Sequence, residues 1–226
     1  MQLDFKQREL TLKLVYYGPA LSGKTTNLQA IHGLVAPESR GRLMTLETKD
    51  DRTLFFDLLP LTVAASKGLQ IRTKLFTVPG QVLHSATRRL VLQGADGVAF
   101  IADSQRCETH ANKLAFLDLR QNLTDNGIDP AKMPLVIQFN KRDMPDVRSE
   151  AEIDEMARKG REPVFKAVAL RGHGVIETLV GLFEVTWRRL EQEHQLGQKF
   201  GVDGAQLLAD VRAKLGVARV AREVGR

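Results

Sequence analysis

One cysteine, Cys107, stands among 226 residues. That excludes an intrachain disulfide and fits a reducing compartment. A single cysteine of this kind reads as a small, partly buried apolar side chain. Aromatic residues are scarce, at 6% of the chain, with one Trp and two Tyr. The basic residues are spread out, so the interleaved basic and aromatic pattern of a nucleic-acid groove is missing. No apolar run approaches the roughly 20 residues that a membrane span needs. The stretch Met1-Gln2-Leu3-Asp4-Phe5-Lys6 carries an acid and no apolar core, which is not the pattern of a secretion signal. Internal repeats and low-complexity segments are absent from the sequence.

What remains is ordinary for a globular protein: 43% hydrophobic and 27% charged residues. The length suggests one domain with an appendage. A formal charge of +6 admits anionic partners, such as a membrane surface or an acidic protein.

The most informative stretch is Gly18-Pro19-Ala20-Leu21-Ser22-Gly23-Lys24-Thr25, which fits the phosphate-loop pattern. The apolar run Leu12 to Tyr17 before it reads as a strand, and Thr26 to Gly33 after it as a helix. That order aims several backbone N–H groups, and the positive end of a helix, at one point. Lys24 is placed to reach the outer phosphates and Thr25 to hold Mg2+ through its hydroxyl.

A second element selects the base. Asn140-Lys141-Arg142-Asp143 follows the apolar run Leu135-Val136-Ile137-Gln138-Phe139. N-K-x-D at a strand end is the guanine-reading pattern. A carboxylate at Asp143 accepts from N1–H and from the exocyclic amine of guanine, whereas adenine offers an acceptor at N1 and repels it. Asn140 is expected to touch the base edge and brace the phosphate loop, with the stem of Lys141 over the ring face.

Strand patterns at 11–17, 42–47, 70–78, 97–102, 135–140 and 164–169 alternate with helical patterns at 24–33, 83–93, 109–126, 149–158 and 174–194. The fold class is α/β: a mostly parallel central sheet flanked by helices. Ligands bind such sheets at the carboxyl ends of the strands, where both motifs lie. Residues 70–76 alternate as an edge or half-exposed strand does. The mixed stretch 50–69 reads as a cover on the sheet or an apolar surface for a partner.

Residues 1–195 form the expected domain, and 196–226 a carboxy-terminal helical extension. Gly197, Gly201 and Gly204 punctuate the extension, and a helical pattern runs from about 205 to 224 with Leu208, Val211, Leu215 and Val220 near one face. Six basic and three acidic residues fall within 196–226. A helix packed on the domain, a frayed tail, a partner-binding helix, a peripheral helix on an anionic membrane and an autoregulatory segment all fit this pattern.

Residues 13–19 running into 21–28, together with 51–57, 77–82 and 136–143, resemble the MglA family of bacterial gliding-motility GTPases, a branch of the Ras-like superfamily. The likeness covers about 1–190. It implies a Ras-like phosphate-loop GTPase domain and a cytoplasmic switch, recruited to a cell pole or the inner membrane surface. Such a switch binds GTP or GDP with Mg2+ and hydrolyses GTP slowly. Its implied partners are a roadblock-fold activating homodimer of the MglB type and downstream polarity or motility effectors. The resemblance makes Arg52 the catalytic arginine supplied in cis, Thr53 the switch residue beside it and a Mg2+ ligand, and Gln81 the residue that orients the attacking water. With Lys24 these carry catalysis. Nucleotide contacts are expected from Gly18, Ala20, Leu21, Ser22, Gly23, Lys24, Thr25, Thr26, Gly80, Asn140, Lys141 and Asp143. Further contacts are expected from Val168, Ala169 and Leu170, where an amide near Ala169 would meet the guanine oxygen.

Two departures stand out. Thr77 replaces the Asp that most small GTPases use to hold Mg2+ through water, a change the MglA branch shares, and it implies weaker Mg2+ organisation. Ala20 replaces the family's usual Gly beside the γ-phosphate, where a methyl group could slow hydrolysis. The sequence therefore supports a hydrolysing switch and leaves room for a nucleotide-locked scaffold, while Asp143 argues against an ATP-driven enzyme.

Overall fold

The computed structural model describes residues 1–4, 6–46, 56–66, 69–79 and 85–216. Eight strands form one sheet: β1 (Gln2–Asp4), β2 (Glu9–Tyr17), β3 (Met44–Leu46), β4 (Phe56–Ser66), β5 (Leu69–Thr77), β6 (Gly97–Asp103), β7 (Leu135–Asn140) and β8 (Val164–Lys166). Their spatial order is β3-β4-β5-β2-β6-β7-β8, with β1 paired to β2. The pairs β5–β2, β2–β6, β6–β7 and β7–β8 are parallel; β1–β2, β3–β4 and β4–β5 are antiparallel. The helices are α1 (Lys24–Leu34), α2 (Ser85–Leu92), α3 (Thr109–Asp125), α4 (Glu150–Lys159), α5 (Val175–His194), α6 (Leu196–Phe200) and α7 (Gly204–Leu215). The expected mostly parallel sheet with flanking helices is the architecture found.

Side-chain alternation divides the core into two layers. Leu10, Leu12, Leu14 and Tyr16 of β2 pack with α1, α5 and α7 on one face. Val15 and Tyr17 pack with α2 and α3 on the other. Every residue of β6 is buried, as befits a central parallel strand covered on both sides. Ser149 starts α4 through a reciprocal capping box with Glu152.

Three expectations change. The stretch read as a mixed cover contains β4, an eleven-residue antiparallel partner of β5. Pro60 hid it, because proline cannot donate to a ladder. Pro60 lies past the reach of β3, which pairs only Phe56 to Leu58, and there its missing N–H leaves no gap. Because β4 covers it, β5 is not an edge strand, although Arg72 and Lys74 leave one face exposed. The strand expected at 164–169 ends at Lys166, and a 3-10 turn follows at Ala169–Arg171. The short strand β1 had no signal strong enough to name.

The extension also differs in detail. Helix α7 ends at Leu215 because Gly216, at φ 83°, takes the left-handed cap conformation. Its buried face is Leu207, Val211 and Leu215, with Leu208 half-buried beside it. The expected continuation through Val220 lies outside the described residues. Cys107 is exposed on a 3-10 turn, contrary to the partly buried position expected of it.

Candidate functional site

The phosphate loop joins the carboxyl end of β2 to the start of α1. Gly18 has φ 150°, and a Cβ there would stand 2.2 Å from the Ile101 carbonyl oxygen. Gly23 has φ 96°, and its Cβ would stand 2.2 Å from Asn140 Nδ2. Both glycines are therefore demanded by close approach as well as by backbone angle. No acid sits in the first turn of α1, so its positive end is open to an anion. Ala20 is exposed and lies outside the left-handed region, so the backbone carries its methyl group without strain. Leu21 does take a left-handed φ of 59° and stands 87% exposed.

Lys24 lies buried under this loop. Its ammonium donates to the carbonyls of Gly18 at 3.0 Å and Pro19 at 2.6 Å. Burial, and next the charge of Arg88, pull its pKa down to about 8, with Asp57 acting in the opposite sense.

Asp57 is the residue that sequence reasoning missed. It is the second residue of β4, one step beyond the Leu58–Phe76 pair and beside Thr77, and is 6% exposed. Its carboxylate accepts from Thr25 Oγ1 at 2.6 Å, Thr45 Oγ1 at 2.8 Å and Thr77 Oγ1 at 2.9 Å. The Asp57 N–H donates to Thr77 Oγ1 at 2.8 Å. The carboxylate absent from position 77 is thus supplied by the neighbouring strand and aimed at the same hydroxyl, Thr25. A signal existed: Asp57 shares strand parity with the apolar Leu59, Leu61 and Val63, where a buried charge needs a reason. Among the described residues no group of three or more His, Cys, Asp or Glu forms a metal cage. The oxygen pair of Thr25 and Asp57 fits a hard cation that takes its other ligands from phosphate and water.

The other end of the site centres on Asn140. Its Nδ2 donates to the Ser22 carbonyl at 2.9 Å, and its Oδ1 accepts from the Ala169 N–H at 2.9 Å. One carboxamide thus ties the phosphate loop to the loop after β8. Because the Ala169 N–H is engaged, it can meet a guanine oxygen only by sharing or leaving that bond. A cavity of about 270 Å³ opens here. The phosphate loop contributes Leu21 and Gly23, α1 contributes Thr26, the end of β7 and the segment after it contribute Asn140, Lys141 and Asp143, and the last loop contributes Val168, Ala169 and Leu170. Met144, not anticipated, completes the lining. Lys141, at φ 62°, is held by an ion pair of 2.5 Å with Asp103 at the end of β6. Among the described residues Asp143 has the loose company of Arg171, at 3.9 Å.

A second network flanks the loop. The Tyr17 hydroxyl donates to Asp118, which also binds Arg88 Nε at 2.8 Å, and Asn122 donates to the Tyr17 oxygen at 3.1 Å. Burial first, then Asp118, raises the Tyr17 pKa and keeps the phenol protonated. Tyr17 directly precedes Gly18, so α2 and α3 are tied to the start of the phosphate loop. Arg52, Thr53, Gly80 and Gln81 lie outside the described residues.

No family model matches the chain. A curated relative does: it is 44% identical over 190 residues to the mutual gliding-motility protein MglA of Myxococcus xanthus (strain DK1622), a match covering 84% of this chain and 97% of the relative.

Proposed function

Because the chain belongs to the MglA family, we propose that it is a small GTPase switch: it binds GTP or GDP with Mg2+, hydrolyses GTP, and controls motility or polarity through partners that recognise its GTP-bound form. The observation that carries the proposal is the convergence of three separated sequence elements on one cavity, with Asn140 bonded to two of them.

In this reading Asp143 reads the Watson–Crick edge of guanine. Lys24 leaves the Gly18 and Pro19 carbonyls to meet the outer phosphates, and the amides at the start of α1 bind them too. Thr25 and Asp57 would hold Mg2+, with Thr53 as the further ligand that the family resemblance implies. When bound, the metal neutralises charge on the β- and γ-phosphates. Gln81 orients a water for in-line attack, and Arg52 with Lys24 stabilises the charge that develops. Asp57 restores the metal organisation that Thr77 alone would have weakened.

The partner set follows from the family: a roadblock-fold activating homodimer of the MglB type, which positions Arg52, and motility or polarity effectors. Cytoplasmic residence, with recruitment to a pole or to the inner membrane surface, belongs to the same proposal. No helix among the described residues is long and apolar enough to cross a membrane. The apolar face of α7 that a membrane contact would use is turned onto the sheet.

Ala20 favours one second reading, a nucleotide-locked scaffold with poor hydrolysis. Single-turnover GTP hydrolysis, with and without the roadblock-fold protein from the same genome, separates the two. Stimulated turnover that disappears in Arg52→Ala and Gln81→Leu is the result expected of a switch. Tight GTP binding without turnover in either condition would replace it with the scaffold.

A further inference from the structure

Helix α7 lies beyond the residues that carry the family resemblance, yet it packs on the strand that carries Asp57. It has its own start and stop: the Asp203 carboxylate accepts from the N–H groups of Ala205 and Gln206, and Gly216 caps the end. Its face of Leu207, Val211 and Leu215 is 0–1% exposed and belongs to one cluster with Leu59, Leu61 and Val63 of β4. Arg212 pairs with Glu184, fastening α7 to α5 as well.

On β4 the parity that meets α7 continues to the metal-site carboxylate. Residues 57, 59, 61 and 63 share one face of the strand. A slip or twist of one residue would turn Asp57 away from Thr25 and would also pull the three apolar side chains from beneath α7. Other restraints on β4 are uneven. Strand β5 pairs along it, but the register shifts between Thr62 and Ala64, and on the outer edge β3 supports Phe56 to Leu58 while Arg40 and Gly41 meet Leu61 and Pro60. The helix therefore adds a restraint across the face of β4, along a segment whose outer edge is held at separate points rather than by one continuous strand.

We infer that α7 is a positioning element for Mg2+: docked on β4, it holds Asp57 against Thr25, and loosening it weakens metal binding without touching the base or phosphate contacts. The inference rests on the reading of Asp57 as a metal-site residue, and its test separates the two.

The chain carries its own reporter of docking. Trp187, the one tryptophan, is 3% exposed on α5, and a Cβ on Gly204 would stand 3.3 Å from its Nε1. Undocking α7 wets the indole and shifts its emission to the red. The experiment uses the full chain loaded with a fluorescent GDP. Release is followed across a Mg2+ titration and again in EDTA, for wild type, Val211→Asp, the milder Leu207→Ala and Val211→Ala, and Asp57→Asn.

The expected result is a Mg2+ midpoint raised by about 2- to 30-fold in the α7 variants, in proportion to their Trp187 shift, with release in EDTA unchanged. The exchange Glu184→Arg with Arg212→Glu should restore what Arg212→Glu alone loses. A red-shifted Trp187 with an unmoved midpoint, while Asp57→Asn moves it, overturns the inference and spares the Asp57 reading. An unmoved midpoint in Asp57→Asn overturns both. Faster release in EDTA as well would show that α7 only stabilises the fold, and would equally end the inference.

Discussion

Asn27 and Gln138 face each other through their carboxamides, each donating to the other at 2.9 Å, and both are fully buried. Gln138 also donates to Thr178 at 2.8 Å, and Asn27 to the Gly23 carbonyl at 2.9 Å. Helix α1, strand β7 and helix α5 are thereby fixed to one another inside the core. Replacing Asn27 alone with Leu leaves the Gln138 carbonyl oxygen and one of its N–H groups buried without their partner and is expected to cost about 1–3 kcal/mol. Replacing both with Leu should cost much less than the sum of the single changes. Urea denaturation of the four proteins checks this; additive losses would contradict it.

Asp57 is expected to set the metal response. Asp57→Ala removes the carboxylate that accepts from three threonine hydroxyls. The Mg2+ needed to slow GDP release should rise by about 10- to 100-fold. Thr77→Ala keeps the carboxylate and should shift the midpoint far less. Equal effects of the two changes would mean that the hydroxyls, not the charge, organise the cation.

Lys24 links nucleotide binding to pH. In the free protein burial lowers its pKa to about 8, so it sheds its proton as pH rises through that value. Bound phosphates favour the ammonium and raise the pKa again. Between these two values binding takes up a proton, and GDP affinity should fall with rising pH by up to about tenfold per unit. Below the lower value no such dependence is expected. Calorimetry in buffers of different ionisation enthalpy measures the uptake directly; an uptake that does not grow above about pH 8 would contradict the assignment.

Ala20→Gly should speed hydrolysis with GDP affinity unchanged. The backbone at this position accepts alanine without strain, so any effect must come from the methyl group in the transition state. Identical single-turnover rates for the two proteins would remove Ala20 from the account.

Much of this was legible in the sequence because glycines, lysines and strand-end acids occur in fixed order along the chain. The phosphate loop and the Asn140–Asp143 element declared themselves in that way, and five of the helices through their helical patterning. Asp57 did not, because its role depends on which residue lies beside it in the sheet. Pairing of β4 with β5 sets Asp57 beside Thr77, and no periodicity within either strand records that register. The same holds for the Tyr17–Asp118–Arg88 network, whose members come from three elements. For α7 the period and two residues of the buried face, Val211 and Leu215, were legible, but Leu207 rather than Leu208 is the most deeply buried at its start, since the two are equally apolar and only packing chooses between them.

The most direct test of the central claim is base competition. Purified protein carrying a fluorescent GDP in Mg2+ is titrated with unlabelled GTP and, separately, with ATP. The account requires GTP to displace the probe at concentrations orders of magnitude below ATP, because adenine leaves the Asp143 carboxylate unpaired, and requires Asp143→Ala to narrow that gap. Comparable displacement by both nucleotides would contradict the guanine reading and the switch built on it.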